Sequence, residues 1–311
     1  MKVYVRIKYL HGGIITVLEL PMRAKWFDKL VEILLLGISS ITILTTFGIV
    51  AILLYESFQF FLKVPLKDFF LDTQWTPLFY EKRFGIWPLV AGTLLTSLIA
   101  MSISIPSGLF IAIYLSEYAR ERTRRILKPL VEILAGVPTV VYGYFALLTV
   151  TPFLKTFIPD LSGFNALSAG IVMGIMIIPI ISSLSDDAMR AVPNTLREAS
   201  YALGASKFQT IFNVVIPTAF SGIASSFILG ISRALGETMI VAIAAGQKPN
   251  LTLNPLEPIE TMTAYIVQVS LGDVPHGTLE FSTIFAVGFM LFLMTLFFNL
   301  LAYFLRKRSV L

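Results

Sequence analysis

Cysteine is absent from the 311 residues, and histidine occurs only at His11 and His276. Disulfides and thiol chemistry are therefore excluded, and two isolated histidines build no multi-histidine metal site. Charge is scarce as well. Asp, Glu, Lys and Arg make up 14% of the chain, against about 25% in an ordinary soluble domain. No G-x-x-x-x-G-K-[ST] phosphate cradle occurs. The nearest stretch, Gly204-Ala205-Ser206-Lys207, has neither the spacing nor a preceding strand, so ATP hydrolysis by that route is excluded. No metal cluster or nucleophile–base arrangement is visible, which argues against an enzyme. Before Trp26 the longest mainly apolar run is Ile14–Leu18, too short for the apolar core of a signal peptide.

What fills the chain is apolar: 56% hydrophobic residues and a mean hydropathy of +0.81. Five windows contain no charged residue: Ile33–Tyr55, Phe84–Ser116, Ile133–Leu154, Leu161–Ser185 and Phe281–Leu305. Each exceeds the ~20 residues that cross a ~30 Å hydrocarbon core. A sixth, Phe208–Gln247, is interrupted only by Arg233 and Glu237. The expectation is an all-α polytopic membrane protein with six transmembrane helices. Loop charges orient it, because Lys and Arg accumulate on the cytoplasmic side. Of the 24 basic residues, seventeen lie in the N-terminal segment, the second and fourth loops and the tail, and six in the other loops. Both termini are then cytoplasmic. The net charge of +5 reports this topology, not nucleic-acid binding.

Residues 1–29 form a basic lead-in, and 30–311 the membrane domain. In the lead-in Val3, Val5 and Ile7 alternate with Tyr4, Arg6 and Lys8 at a strand-like period. The segment is short enough that an interfacial helix or a disordered tail are equal readings. An outer loop at about 247–279 is punctuated by Pro249-Asn250, Asn254-Pro255, Glu257-Pro258 and Gly272-Asp273-Val274-Pro275. Pro106, Gly136-Val137-Pro138 and Pro179 strain helices two, three and four. Gly170 and Gly174 offer helix four a flat face for close packing. Asp186-Asp187 followed by Arg190 reads as a solvated helix end, and Glu132 as an interfacial or capping residue.

Between helices four and five, at about 193–217, a polar interruption reads as two short helices hinged at Gly204. Pro193 suits a first helical turn, and Phe208, Ile211, Phe212 and Val215 form an apolar stripe. Small side chains at Ala199, Ser200, Gly204 and Ala205 permit close approach of a partner, while Glu198 supplies a charge. The alternative is an interfacial re-entrant segment with no partner. Order and spacing resemble the EAA loop of bacterial ABC-importer permeases, with Ser200 in place of the usual second Ala. That resemblance implies docking of Glu198, Ala199, Ser200, Gly204 and Ala205 on an ATPase subunit.

Arg233 lies about 24 Å along the helix from Pro217 at ~1.5 Å per residue. A lone arginine there costs about 2.5–3.5 kcal/mol, and Glu237, one helical turn on, offsets part of this. The pair is either a structural salt bridge or an oxyanion contact on a translocation path. Charge alone does not choose among phosphate, sulfate and molybdate.

Gly230-Ile-Ser-Arg233-Ala-Leu-Gly236-Glu237-Thr238-Met239 resembles the signature of phosphate-uptake ABC permeases, and Thr-Met after Glu237 is closer to the PstC type than to PstA. Leu134–Gly143, Gly277–Glu280 and Phe285–Gly288 are similar to the same type, over about residues 30–308. The resemblance implies the MetI-like permease fold and a place in a bacterial or archaeal cytoplasmic membrane. It implies a phosphate route past Arg233 and Glu237. It also implies a PstA-like second permease, two PstB-like ATPases carrying ATP and Mg, and a PstS-like extracytoplasmic receptor. No cofactor is expected on this chain. An importer of another oxyanion and a stand-alone six-helix channel or secondary transporter remain as alternatives.

Overall fold

The computed structural model describes residues 4–10, 13–19 and 22–308. Val3, which entered the reading of the lead-in, and His11 lie outside them. The chain divides into two compact units, Met1–Tyr55 and Glu56–Leu311. The first contains an antiparallel hairpin of β1 (Tyr4–Leu10) and β2 (Gly13–Glu19), in register from Tyr4 opposite Glu19 to Leu10 opposite Gly13. The strand-like alternation in the lead-in was thus the correct signal, and the helical reading of it is corrected. Helix α1 (Met22–Lys63) starts inside the lead-in and runs unbroken into the second unit.

After α2 (Leu66–Leu71) and a loop that buries Trp75, the second unit is helical throughout its spans. Helix α3 (Trp87–Ile113) is prolonged to Tyr118 by a π-helical turn. Next come α4 (Glu121–Gly136), α5 (Thr139–Phe145), a π-turn, and α6 (Thr151–Lys155). They are followed by α7 (Ala166–Arg190), α8 (Asn194–Ala202), α9 (Lys207–Thr210) and, after another π-turn, α10 (Ile216–Leu235). The chain closes with α11 (Met239–Ala244), α12 (Met262–Leu271) and α13 (Leu279–Arg308).

Among the described residues, five helical stretches are long and apolar enough to cross a membrane, and there are six if the pair Glu121–Gly136 and Thr139–Lys155, bent by 88°, is one broken span. The chain is a multi-pass, all-helical membrane protein from α1 onward. The bend falls at Val137-Pro138, where proline removes a donor and bars its predecessor from helical geometry. Pro106 and Pro179, by contrast, sit inside unbroken α3 and α7. The expected outer loop also holds an element that its turn signals hid: α12, with Tyr265 and Val269 buried.

Helices α3 and α7 form the centre of the bundle. A Cβ on Gly170 would come within 2.7 Å of the Ile99 side chain, and one on Gly174 within 2.9 Å of the Ala100 carbonyl oxygen. Lipid tails are as apolar as Val172, Met173, Ile177 and Ile181, all fully buried here, so dehydration drives little of this packing. Close van der Waals contact across a small-residue face does so instead.

Candidate functional site

The expected fifth span is not one helix. It ends at Leu235, and Gly236, Glu237 and Thr238 carry the chain into α11. Arg233 therefore occupies the last turn of α10, where the negative end of the helix dipole favours a cation. Glu237 stands in the break. Its Oε1 accepts from the N–H groups of Met239 at 3.1 Å and Ile240 at 3.3 Å, filling the otherwise unpaired donors that open α11. Its Oε2 lies 3.8 Å from Arg233 Nη2. The expectation of a pair one turn apart on a single helix is corrected accordingly: the contact exists, but across a helix end, and it is an ion pair too long for a hydrogen bond.

The two partners differ in exposure. The Glu237 side chain is 4% exposed and that of Arg233 is 48% exposed. The guanidinium also approaches Met176 Sδ on α7, at 3.9 Å. It is fastened along one edge and open on the rest. The start of α12 and the segment just before it buttress the break. Thr263 Oγ1 donates to the Glu237 carbonyl at 2.7 Å, Thr261 and Thr263 hydroxyls lie 3.1 Å apart, and Met262 N–H donates to Thr93 Oγ1 at 3.0 Å. Glu260, in the same segment and outside the spans, is buried, and its Oε1 has no hydrogen-bond partner among the described residues. Burial raises its carboxyl to about 8.

The second region is the loop between α7 and α10, where two short helices meet at Gly204 as expected. Gly204 adopts φ +84°, with open space where a Cβ would stand. Ser206 caps α9, its Oγ accepting from Gln209 N–H while Gln209 Oε1 accepts from Ser206 N–H. Ser200 and Thr210 hydroxyls join the two arms at 2.9 Å. Glu198, Ala199 and Gly204 are exposed and Ala205 is half-buried. Leu203 is 90% and Phe208 62% exposed at the turn, a large apolar tip. Pro193, expected in the first turn, stands one residue ahead of α8 at its N-cap position and makes no side-chain cap hydrogen bond.

Three residues that composition and spacing undervalued stand out. Arg197 counted only toward topology, yet it makes four hydrogen bonds: Nη1 to the Val192 carbonyl (2.6 Å) and Asn194 Oδ1 (3.3 Å), Nη2 to Glu117 Oε1 and the Met189 carbonyl (both 2.9 Å). Asp186 is no solvated helix end. It is fully buried, and Oδ2 accepts from Arg124 at 2.7 Å and Lys128 at 3.0 Å. Those partners are about sixty positions away, on α4, so nothing local announces them. Thr263 is the third. Glu132, expected at an interface or a cap, accepts from Ser183 Oγ at 2.9 Å.

Residues 104–310 match the family model described as "Binding-protein-dependent transport system inner membrane component". The chain is 36% identical over 248 residues to the phosphate transport system permease protein PstC of Xylella fastidiosa, covering 73% of this chain and 75% of that one. It is 34% identical over 241 residues to a probable ABC transporter permease, YqgH, of Bacillus subtilis, covering 78% of each. Among solved structures, a bacterial ABC transporter involved in alginate import superimposes with a TM-score of 0.62 at 16% identity, over 92% of this chain and 99% of that one. That likeness supports the fold alone.

Proposed function

The chain belongs to the family of binding-protein-dependent transport system inner membrane components, and we propose that it is the permease subunit through which an ATP-driven importer moves inorganic phosphate across a bacterial or archaeal cytoplasmic membrane. The observation that carries this reading is Arg233. A half-exposed guanidinium at a helix break, held from one side by a buried carboxylate, presents donors in the fork that matches a phosphate oxygen pair. The similarity to phosphate transport permeases favours phosphate over sulfate or molybdate.

In this reading Glu237 fixes the direction in which Arg233 faces, and phosphate passes the open edge. The loop bearing Glu198, Ala199, Ser200, Gly204 and Ala205 seats an ATPase subunit, its exposed Leu203 and Phe208 entering the partner's surface. ATP and Mg are bound by that partner and no cofactor by this chain. A second, PstA-like permease completes the path, two PstB-like ATPases drive it, and a PstS-like receptor delivers phosphate on the outer face. Both termini of the chain are cytoplasmic, residues 1–29 form a basic segment ahead of the transport domain, and lipid surrounds the spans.

The test is ATP-dependent uptake of radiolabelled phosphate into proteoliposomes containing this chain, its partner permease, the ATPase and the receptor, with sulfate and molybdate as competitors. Uptake that requires every component and resists both competitors is the expected result. Inhibition by sulfate or molybdate would overturn the substrate, and uptake by this chain alone would overturn the importer.

A further inference from the structure

Helix α8 buries none of its residues, so what ties it to the membrane bundle must be few and specific contacts. Arg197 supplies them. From within α8 its guanidinium reaches the carbonyls of Met189, in the last turn of α7, and Val192, two residues past that helix, and Glu117, in the π-turn that ends α3. The last carbonyls of a helix have no partner within it, and a cation there also meets the negative end of the helix dipole. The Arg197 and Glu117 side chains are only 14% and 6% exposed, and Glu117 Oε1 also accepts from Ser116 Oγ at 3.0 Å. A planar fork with four partners on three segments has little freedom to swing.

Helix α7 then leads directly to the other arginine. Met189 and Met176 lie thirteen positions apart on it, about 20 Å at ~1.5 Å per residue, and Met176 Sδ is the atom beside Arg233. We propose that Arg197, locked to Glu117 and to the end of α7, is the positioning residue through which displacement of the α8–α9 loop is carried into α3 and α7, and so to the Arg233 break. This rests on the reading of that loop as the ATPase seat. Neither residue touches the transported anion.

The experiment uses the full reconstituted complex and measures ATP hydrolysed per phosphate moved, with ATPase association read separately by co-purification. Arg197→Ala and Glu117→Ala are expected to keep the ATPase bound while that ratio rises about tenfold, the fold-change for loss of one charge-assisted buried contact. Glu117→Gln, which keeps an acceptor oxygen for Arg197, is expected to recover most of the coupling. A ratio equal to that of the unaltered complex in Glu117→Ala overturns the proposal. So does a parallel fall in transport, hydrolysis and ATPase association with no rescue by Gln, since that marks a residue needed only for folding. Failure of the loop reading looks different: Gly204→Pro would leave ATPase association and transport both intact.

Discussion

Two arginines, one at the C-terminal end of α7 and one beside its middle, are held in opposite ways. Arg197 is partly buried and spends its two terminal nitrogens on four partners at 2.6–3.3 Å. Arg233 is half exposed, and its one carboxylate partner stands 3.8 Å away. A guanidinium with both terminal nitrogens engaged by fixed acceptors serves as a rivet. One whose charge is compensated while its donors stay open is available to an anion. The sequence context of each, a helix of moderate polarity and an apolar span, suggests the reverse ranking of constraint. Burial of an arginine is thus decided by the carbonyls and carboxylates that fold around it, not by the apolarity of its neighbours.

This contrast can be broken or sharpened by substitution. The largest effect is expected on the loop side. Gly204→Pro forces φ from +84° to about −65°, and Glu198→Lys reverses an exposed charge of α8. Both should abolish transport together with ATPase co-purification; persistence of both would refute the docking assignment. A smaller effect is expected for Glu237→Gln. The amide oxygen still accepts from Met239 and Ile240, so the fold should hold, while the charge steering Arg233 is lost. Uptake should fall up to about fivefold, in the range of a partly exposed ion pair, with unchanged ATPase binding. Loss of ATPase binding in that variant would erase the distinction between the two regions.

Thr263→Val removes the hydroxyl that holds the Glu237 carbonyl, at a cost of about 1 kcal/mol. A modest drop in melting temperature and uptake is expected, recovered by Thr263→Ser; a drop that Ser does not recover would locate the effect in packing. The last change concerns Glu260 and is confined to high pH. Its carboxyl is raised by burial to about 8 in the folded protein, above its unfolded value. The native state therefore binds the proton more tightly, and this contribution to stability is present at low pH and lost as pH rises toward 8. Glu260→Gln should match the unaltered protein in melting temperature near pH 4.5 and exceed it near pH 9. Identical profiles at both pH values would show the carboxyl to be solvated.

Some of this was legible in the sequence. Uncharged windows located the spans, and Gly204 marked the turn because little else tolerates its positive φ. The Gly170–Gly174 face met α3 as its small residues required. The 88° bend at Val137-Pro138 and the stop at Gly236 escaped the windows, because hydropathy is blind to direction: a broken helix is as apolar as a straight one. The Arg233–Glu237 pairing was legible as a spacing of four, but not the helix break that puts the carboxylate on the N–H groups of α11. The environments of Asp186 and Arg197 depend on residues on other helices, at separations that periodicity cannot join.

The most direct test of the central claim, that Arg233 is the open cation on the anion route, is Arg233→Ala in reconstituted vesicles, with phosphate uptake and receptor-stimulated ATP hydrolysis measured in the same sample. Loss of a preorganised charged donor predicts a fall in uptake of about 100-fold, with the protein folded and the ATPase still bound and stimulated. Uptake at the unaltered rate would contradict the account and leave Arg233 and Glu237 as a structural pair.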